Sequence, residues 1–202
     1  GKIGEVIKLF CEEREDDSMR QFFGMNLRGN LEDAVRGLSK PQFIMLMSNS
    51  GQFEKHVQEL EALYPQVPSI GCIGMSYDTK VVENGVGVIA FFDGVSAKAD
   101  VLEQVSTVPV KYIERLERDM AAVNGSQKDT VCIDFCSGND ACALTTIHTA
   151  LRKRNISLVG GTGDGGKVSA NGRVYEDAVA YALVKNHGGR VKTYKENIYR
   201  QM

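Results

Sequence analysis

Val131-Cys132-Ile133-Asp134-Phe135-Cys136-Ser137-Gly138-Asn139-Asp140 is the stretch that decides the fold. A short apolar run rich in β-branched and aromatic residues, closed by small polar ones, reads as a buried strand that ends in a turn. A helical pattern follows, with Leu144, Ile147 and Leu151 on one side. Beyond it come Ile156-Ser157-Leu158-Val159-Gly160-Gly161, a turn at Asn171-Gly172 and a strand through Ala178-Val179-Ala180-Tyr181-Ala182-Leu183. The same succession stands earlier in the chain. Phe43-Ile44-Met45-Leu46-Met47 ends at Ser48-Asn49-Ser50-Gly51, and a helix carries Phe53, Val57, Leu60 and Leu63. Val67-Pro68-Ser69-Ile70-Gly71-Cys72, a turn at Asn84-Gly85 and a strand Val86-Gly87-Val88-Ile89-Ala90-Phe91 complete it. Phe43 matches Val131 and Gly71 matches Gly160 at nearly one offset, so the difference in length falls in the loop before the last strand. Val95-Ser96-Ala97-Lys98-Ala99 and Val191-Lys192-Thr193-Tyr194 then alternate as two similar tails. The sequence therefore predicts an internally duplicated β-α-β-β-β unit, with halves at about 40–105 and 128–198. The expected fold class is α/β (α+β): mixed sheets flanked by helices.

Outside the repeat, Phe22-Phe23-Gly24-Met25-Asn26-Leu27 reads as a strand. Asn30 is placed to cap a helix bearing Leu31, Ala34, Val35 and Leu38. A helix with Ile113, Leu116, Met120 and Val123 inside, and Pro109 near its first turn, joins the halves. Residues 1–18, with the run Glu12-Glu13-Arg14-Glu15-Asp16-Asp17, read as a linker or surface helix. The domain proper is expected over 19–202.

The chain has 202 residues, of which 43% are apolar and 25% charged, enough to bury a core without disulfides or metals. Its net charge of −2, with the 24 Lys and Arg dispersed, leaves no footprint for nucleic acid. No apolar stretch is long enough to predict a membrane span, and no signal peptide is read at the start. The five cysteines are an odd number in mostly apolar contexts, which points to reduced thiols and a cytoplasmic location. A beginning at Gly1 suggests a tag remnant or an excised piece of a longer protein.

Gly161-Thr162-Gly163-Asp164-Gly165-Gly166 satisfies a dinucleotide-type glycine pattern. That fingerprint needs a helix directly afterwards to hold a pyrophosphate, whereas here an Asn-Gly hairpin follows. The glycines instead predict either a plain hairpin loop or one presenting backbone N–H groups to an anionic ligand. Cys132, Cys136 and Cys142 fit no zinc or iron–sulfur spacing. Cys136, between a strand and a helix start, is the one thiol placed for activation, but no His lies near it in sequence. His148 reads as a core or boundary residue, and His56 and His187 as exposed. No Ser-His-Asp, paired-carboxylate or His/Glu metal pattern emerges, so the chain reads as non-enzymatic. Small polar residues at strand ends are the expected ligand-binding set: Ser48, Asn49, Cys72, Ser76, Cys136, Asn139, Gly161, Thr162 and Asp164.

These landmarks resemble the FIST N-terminal domain over roughly residues 20–195. The matching parts are the opening strand and helix from Phe22 to Leu38, the strand after Pro41, Ser69-Ile70-Gly71-Cys72, and Leu158-Val159-Gly160-Gly161-Thr162-Gly163-Asp164 leading to Tyr175-Glu176-Asp177-Ala178-Val179. Gly74-Met75-Ser76 departs from the small polar run expected after Gly71-Cys72. The resemblance implies a sensory domain of bacterial signalling proteins, such as chemotaxis receptors and histidine kinases, that binds a small ligand such as an amino acid. It implies a FIST C-terminal domain and an output domain downstream in the same polypeptide as partners, with no membrane contact by this segment. No cofactor is expected. Some similar proteins bind haem and sense nitric oxide, for which His148 would be the candidate ligand here. A thiol enzyme using Cys136 and a protein-interaction scaffold are the other readings.

Overall fold

The computed structural model describes residues 21–74, 76–77, 80–81, 83–107, 112–138 and 141–193. The expected linker at 1–18, Pro109 and Asn139 lie outside them.

Two units of one topology follow each other. The first comprises β1 (Gln21–Asn26), α1 (Leu31–Ala34), β2 (Phe43–Ser48), α2 (Phe53–Leu63), β3 (Ser69–Ile73), a hairpin of β4 (Ser76–Tyr77) and β5 (Lys80–Val81), and β6 (Val86–Phe91). The second comprises β7 (Val95–Glu103), α3 (Ile113–Ala122), β8 (Thr130–Cys136), α4 (Ala141–Leu151), β9 (Ser157–Thr162), a hairpin of β10 (Asp164–Ala170) and β11 (Arg173–Glu176), and β12 (Ala178–Asn186). The sheets run β1-β6-β2-β3-β10-β11 and β7-β12-β8-β9. In each unit the middle strand pairs parallel with the strand after its helix and antiparallel with the last strand. Leu46 stands beside Gly71 as Asp134 stands beside Gly160, so the two glycines matched in sequence are equivalent in space.

The duplication holds, but its phase differs from the expected one. β7 is no tail of the first unit: it leaves the first sheet and pairs with β12 along its whole length, as β1 pairs with β6. Each unit thus begins one strand earlier than the sequence suggested. Val191–Thr193, read as an alternating strand, is irregular.

Strand alternation builds three apolar layers. Phe43, Met45 and Met47 of β2 meet Val131, Ile133 and Phe135 of β8 between the sheets, and the parallel rings of Phe43 and Phe91 stack there at 6.1 Å. Ile44 and Leu46 turn the other way, under Leu31, Phe53, Val57 and Leu60 of α1 and α2. Cys132 and Cys136 lie under Leu116 and Met120 of α3 and Ile147 and Leu151 of α4. The result is helix, sheet, sheet, helix. Asn30 caps α1 as expected, its side chain accepting from the Asp33 N–H at 2.9 Å. No helix among the described residues is long and apolar enough to cross a membrane.

Candidate functional site

The units are joined where the chain crosses from one sheet to the other. After β9 the chain steps through Gly163 and pairs as β10 with β3, Asp164 standing opposite Ile73. The Gly163 N–H donates to the Cys136 carbonyl at 2.9 Å, and the equivalent Gly74 N–H donates to the Ser48 carbonyl at 2.9 Å. A Cβ on Gly163 would lie 2.9 Å from that of Cys72, so only glycine lets the strands come this close. Between Asp164 and Val168 the register with β3 slips, and Gly165 and Gly166 adopt φ of 68° and 70°. This bulge lies at the carboxyl ends of β3, β8 and β9, and Asp164, Gly165 and Gly166 are exposed in it. Lys167 anchors it to α2, 2.7 Å from Glu54, which holds the ammonium above its usual range.

Thr162 and Asp164 reach solvent on this rim, and Gly161 is half-buried beside them. Four other members of the expected set are sealed inside. Ser48 and Asn49 face α2, Cys72 lies between the sheets, and Cys136 lies beneath α3 and α4. Each stands at a strand end, as the sequence indicated, but the pleat points it at a covered face. Ser76 falls in β4, and Asn139 lies outside the described residues.

Ser48 and Asn49 spend their polar groups on the protein. Ser48 Oγ is 2.6 Å from His56 Nδ1, and His56 Nε2 is 2.8 Å from the Gly29 carbonyl. A carbonyl only accepts, so the proton sits on Nε2, and Nδ1 accepts from the Ser48 hydroxyl. Asn49 accepts from the Gln52 N–H and donates to the Gly85 carbonyl. His56 is fully buried, a correction to its reading as exposed. Serine, histidine and an orienting carbonyl have the order of a nucleophile and base, yet both side chains are at 0% exposure and no substrate reaches them. The triplet is a structural polar plug.

Three of the described thiols are equally withdrawn. Burial, helped by Asp164, pushes the Cys72 thiol up to about 12, and burial with Asp134 pushes Cys132 well up. Cys136 donates to Asp134 Oδ2 at 3.2 Å. Of the described cysteines, Cys142 alone is exposed. His148 is exposed near the end of α4, so the expected boundary position is corrected too; a solvent-facing residue offers haem no enclosing apolar slot. His187 is exposed and lies 3.0 Å from Ser96 Oγ.

A polar row crosses the second sheet under its helices, with Asp100, Tyr181, Asp134 and Gly160 in register. Nothing in the sequence pattern singled it out, because its members come from four strands. The Tyr181 hydroxyl donates to Asp119 Oδ2 of α3 at 2.7 Å, while Asp119 Oδ1 is buried without a hydrogen bond. Burial raises the Asp119 carboxyl, Tyr181 opposes that, and neighbouring Asp100 adds to it. Lys98, Arg115 and Arg118 supply positive charge around the pair. A carboxyl with a raised folded pKa holds its proton more tightly when folded, so its contribution falls as pH rises from the unfolded value through the folded one. Asp119→Asn, whose amide oxygen can still accept from Tyr181, is expected to stabilise the protein by about 1 kcal/mol at pH 7. The gain should vanish near pH 4, as urea unfolding at the two pH values would read.

A duplicated four-layer α/β module with a glycine-bulged, partly open crossover is what fold and site define together. The chain belongs to the FIST N domain family, whose model matches residues 42–201. That family consists of sensory domains of signal-transduction proteins. No curated protein sequence matches the chain. Among solved structures it is similar to a cyanuric acid hydrolase at 9% identity and TM-score 0.37, over 87% of this chain and 71% of the other. A cyanuric acid hydrolase from A. caulinodans is similar at 9% identity and TM-score 0.40, over 86% and 72%.

Proposed function

We propose that this domain binds a small polar metabolite, an amino acid in the first instance, at the crossover rim and passes on its occupancy without transforming it. One observation carries the reading. At the junction of the two units, exposed Thr162 and Asp164 stand on either side of Gly163, just ahead of a bulge whose glycines, Gly165 and Gly166, are exposed and hold positive φ. Backbone N–H groups in such a bulge suit a carboxylate, and Asp164 suits an ammonium group. A ligand there would touch both β9 and β10, the strands on which the two sheets are joined, and so bias how the units sit together. Regulation of an attached chemoreceptor or kinase output belongs to the same proposal, as does a cytoplasmic setting.

Binding to the folded state stabilises it by mass action, by about 2.7 kcal/mol at 100 times Kd, and so raises the melting temperature. A thermal-shift panel of amino acids and small carboxylates should therefore give at least one upward shift, and Asp164→Asn should abolish it while leaving the unliganded melting point in place. No shift across the panel at saturating concentrations defeats the reading.

The non-catalytic part is tested separately with iodoacetamide at neutral pH. Cys142 should alkylate readily, whereas Cys72, Cys132 and Cys136 should react only on unfolding, because burial keeps the reagent from all three and disfavours the thiolate at Cys72 and Cys132. Rapid labelling of Cys136 in the folded protein would reopen a thiol mechanism.

A further inference from the structure

The two units also meet at the other end of β3, away from the crossover. There the Asn171-Gly172 turn between β10 and β11 reaches the first residue of β3 and the middle of β7. The Ser69 N–H donates to Asn171 Oδ1 at 3.2 Å, the Asn171 N–H donates to the Ser69 carbonyl at 2.9 Å, and Asn171 Nδ2 donates to the Ala99 carbonyl at 2.9 Å. One side-chain amide is thus shared between the units. Beside it lies a cleft of about 200 Å³, walled by Glu61, Gln66, Val67 and Pro68 of the first unit and by Lys98, Ala99 and Asn171 of the second. Clefts for drug-sized ligands run to ~300–1,000 Å³, so this one suits a molecule of a few heavy atoms.

The two charged residues of the wall are not equivalent. Lys98 stands opposite Leu183, which faces α3 and α4, whereas Ala99 faces the other sheet. Its ammonium is therefore on the helix side of β7, where its charge acts on Asp119 of α3. Glu61 is half-buried and makes no hydrogen bond or ion pair among the described residues. Its side chain lies along the turn, because Gly172 leaves room for it: a Cβ there would stand 2.7 Å from Glu61 Cγ and 2.9 Å from Oε2, and φ of 78° also favours glycine. Val67 and Pro68 add an apolar wall, and Gln66 adds an amide. A lone carboxylate beside a short apolar surface fits a cation that carries a short hydrocarbon tail.

We propose that this cleft binds a small aliphatic amine, its ammonium on the Glu61 carboxylate and its methylenes against Val67 and Pro68. The site is separate from the crossover rim, because β3 runs between them, from Ser69 at the cleft to Ile73 opposite Asp164. The described residues start at β1 and stop beside Ser157 of β9, in each sheet at the outer strand away from the cleft. A bound amine would touch α2 and the start of β3 in one unit and β7 and the Asn171 turn in the other, and so tighten the seam that Asn171 already holds.

Amide NMR of the intact chain titrated with n-butylammonium chloride up to ~50 mM, the range in which so small a ligand binds, tests the site. Sodium butyrate and sodium chloride at equal ionic strength are the controls. The expected result is a saturable shift of the Gly172 and Ala99 amides and of the Asn171 side-chain amide, with the amine alone. Glu61→Gln, which keeps the shape and removes the charge, should weaken binding by ~10-fold or more, the scale of one charge-assisted hydrogen bond. Should that variant misfold by circular dichroism, the contrast between amine and butyrate in the parent protein still decides. Shifts that do not saturate, that butyrate or chloride reproduces, or that survive Glu61→Gln unchanged overturn the proposal. So does an amine that moves the amides of Thr162 to Gly166 instead, which would place it at the rim. Because the two sites are read at different amides, failure at the cleft leaves the ligand proposed for the rim untouched.

Discussion

Gly160→Ala should destabilise the protein by about 3 kcal/mol, lowering the melting temperature by roughly 10 °C, and Gly160→Val should leave little soluble folded protein. A Cβ built on Gly160 lies 2.0 Å from the Asp134 carbonyl oxygen and 2.3 Å from its Oδ1. The first of these is backbone in the centre of the parallel β8–β9 ladder, so it cannot swing aside as a flexible side-chain end would. Relief requires β9 to part from β8, or the buried Asp134 carboxylate to leave the place where Cys136 donates to it. Gly74 provides the control: nothing stands within 4 Å of its added Cβ, so Gly74→Ala should change stability by no more than about 0.5 kcal/mol. Urea denaturation of the two variants beside the parent protein reads the contrast. Equal effects would mean that backbone freedom, and not the close approach to Asp134, explains the glycine.

That glycine was legible in the sequence as a landmark, through its match to Gly71, but its reason was not. Periodicity and turn chemistry are local, and they located the strands, the Asn30 cap and the Asn171-Gly172 hairpin. Which strand lies beside which is not local. β7 alternates equally well as the last strand of one unit or the first of the next, and only its pairing with β12 decides. The same limit governs the candidate site. Strand ends were found, yet Ser48, Asn49, Cys72 and Cys136 needed the second sheet and the overlying helices before their faces could be known buried. Thr162 and Asp164 remained at the surface because the chain there is changing sheets. The two helical histidines were misread for a different reason. His56 follows Phe53 by three positions and precedes Leu60 by four, a spacing that does put it on the buried face of α2. His148 has a similar relation to Leu144 and Leu151, but the buried stripe of α4 runs through Ala143, Thr146, Ile147, Ala150 and Leu151, one step around the helix. Small residues carry that stripe, and they signal weakly.

The polar plug under α2 sets the second large effect. His56→Ala should cost about 4 kcal/mol, with a melting temperature lower by ten degrees or more. The substitution leaves a cavity at a site of 0% exposure, and it also strands the buried Gly29 carbonyl, while the Ser48 hydroxyl keeps only its 3.2 Å bond to the Asn49 carbonyl. The penalties differ in kind and can be separated. His56→Phe refills the volume but supplies no hydrogen bond, so its loss, about 2 kcal/mol, measures the lost hydrogen bonds to Gly29 and Ser48. Ser48→Ala removes the donor to Nδ1 while keeping the ring and its bond to Gly29, and should cost about 1 kcal/mol. Because Gly29 lies in the turn between β1 and α1, loss of the histidine should also loosen the start of the first unit, visible as faster amide exchange from Asn26 to Ala34 than in the Ser48 variant. If His56→Ala and His56→Phe prove equally mild, the histidine is filling space rather than linking β2 to the β1–α1 turn.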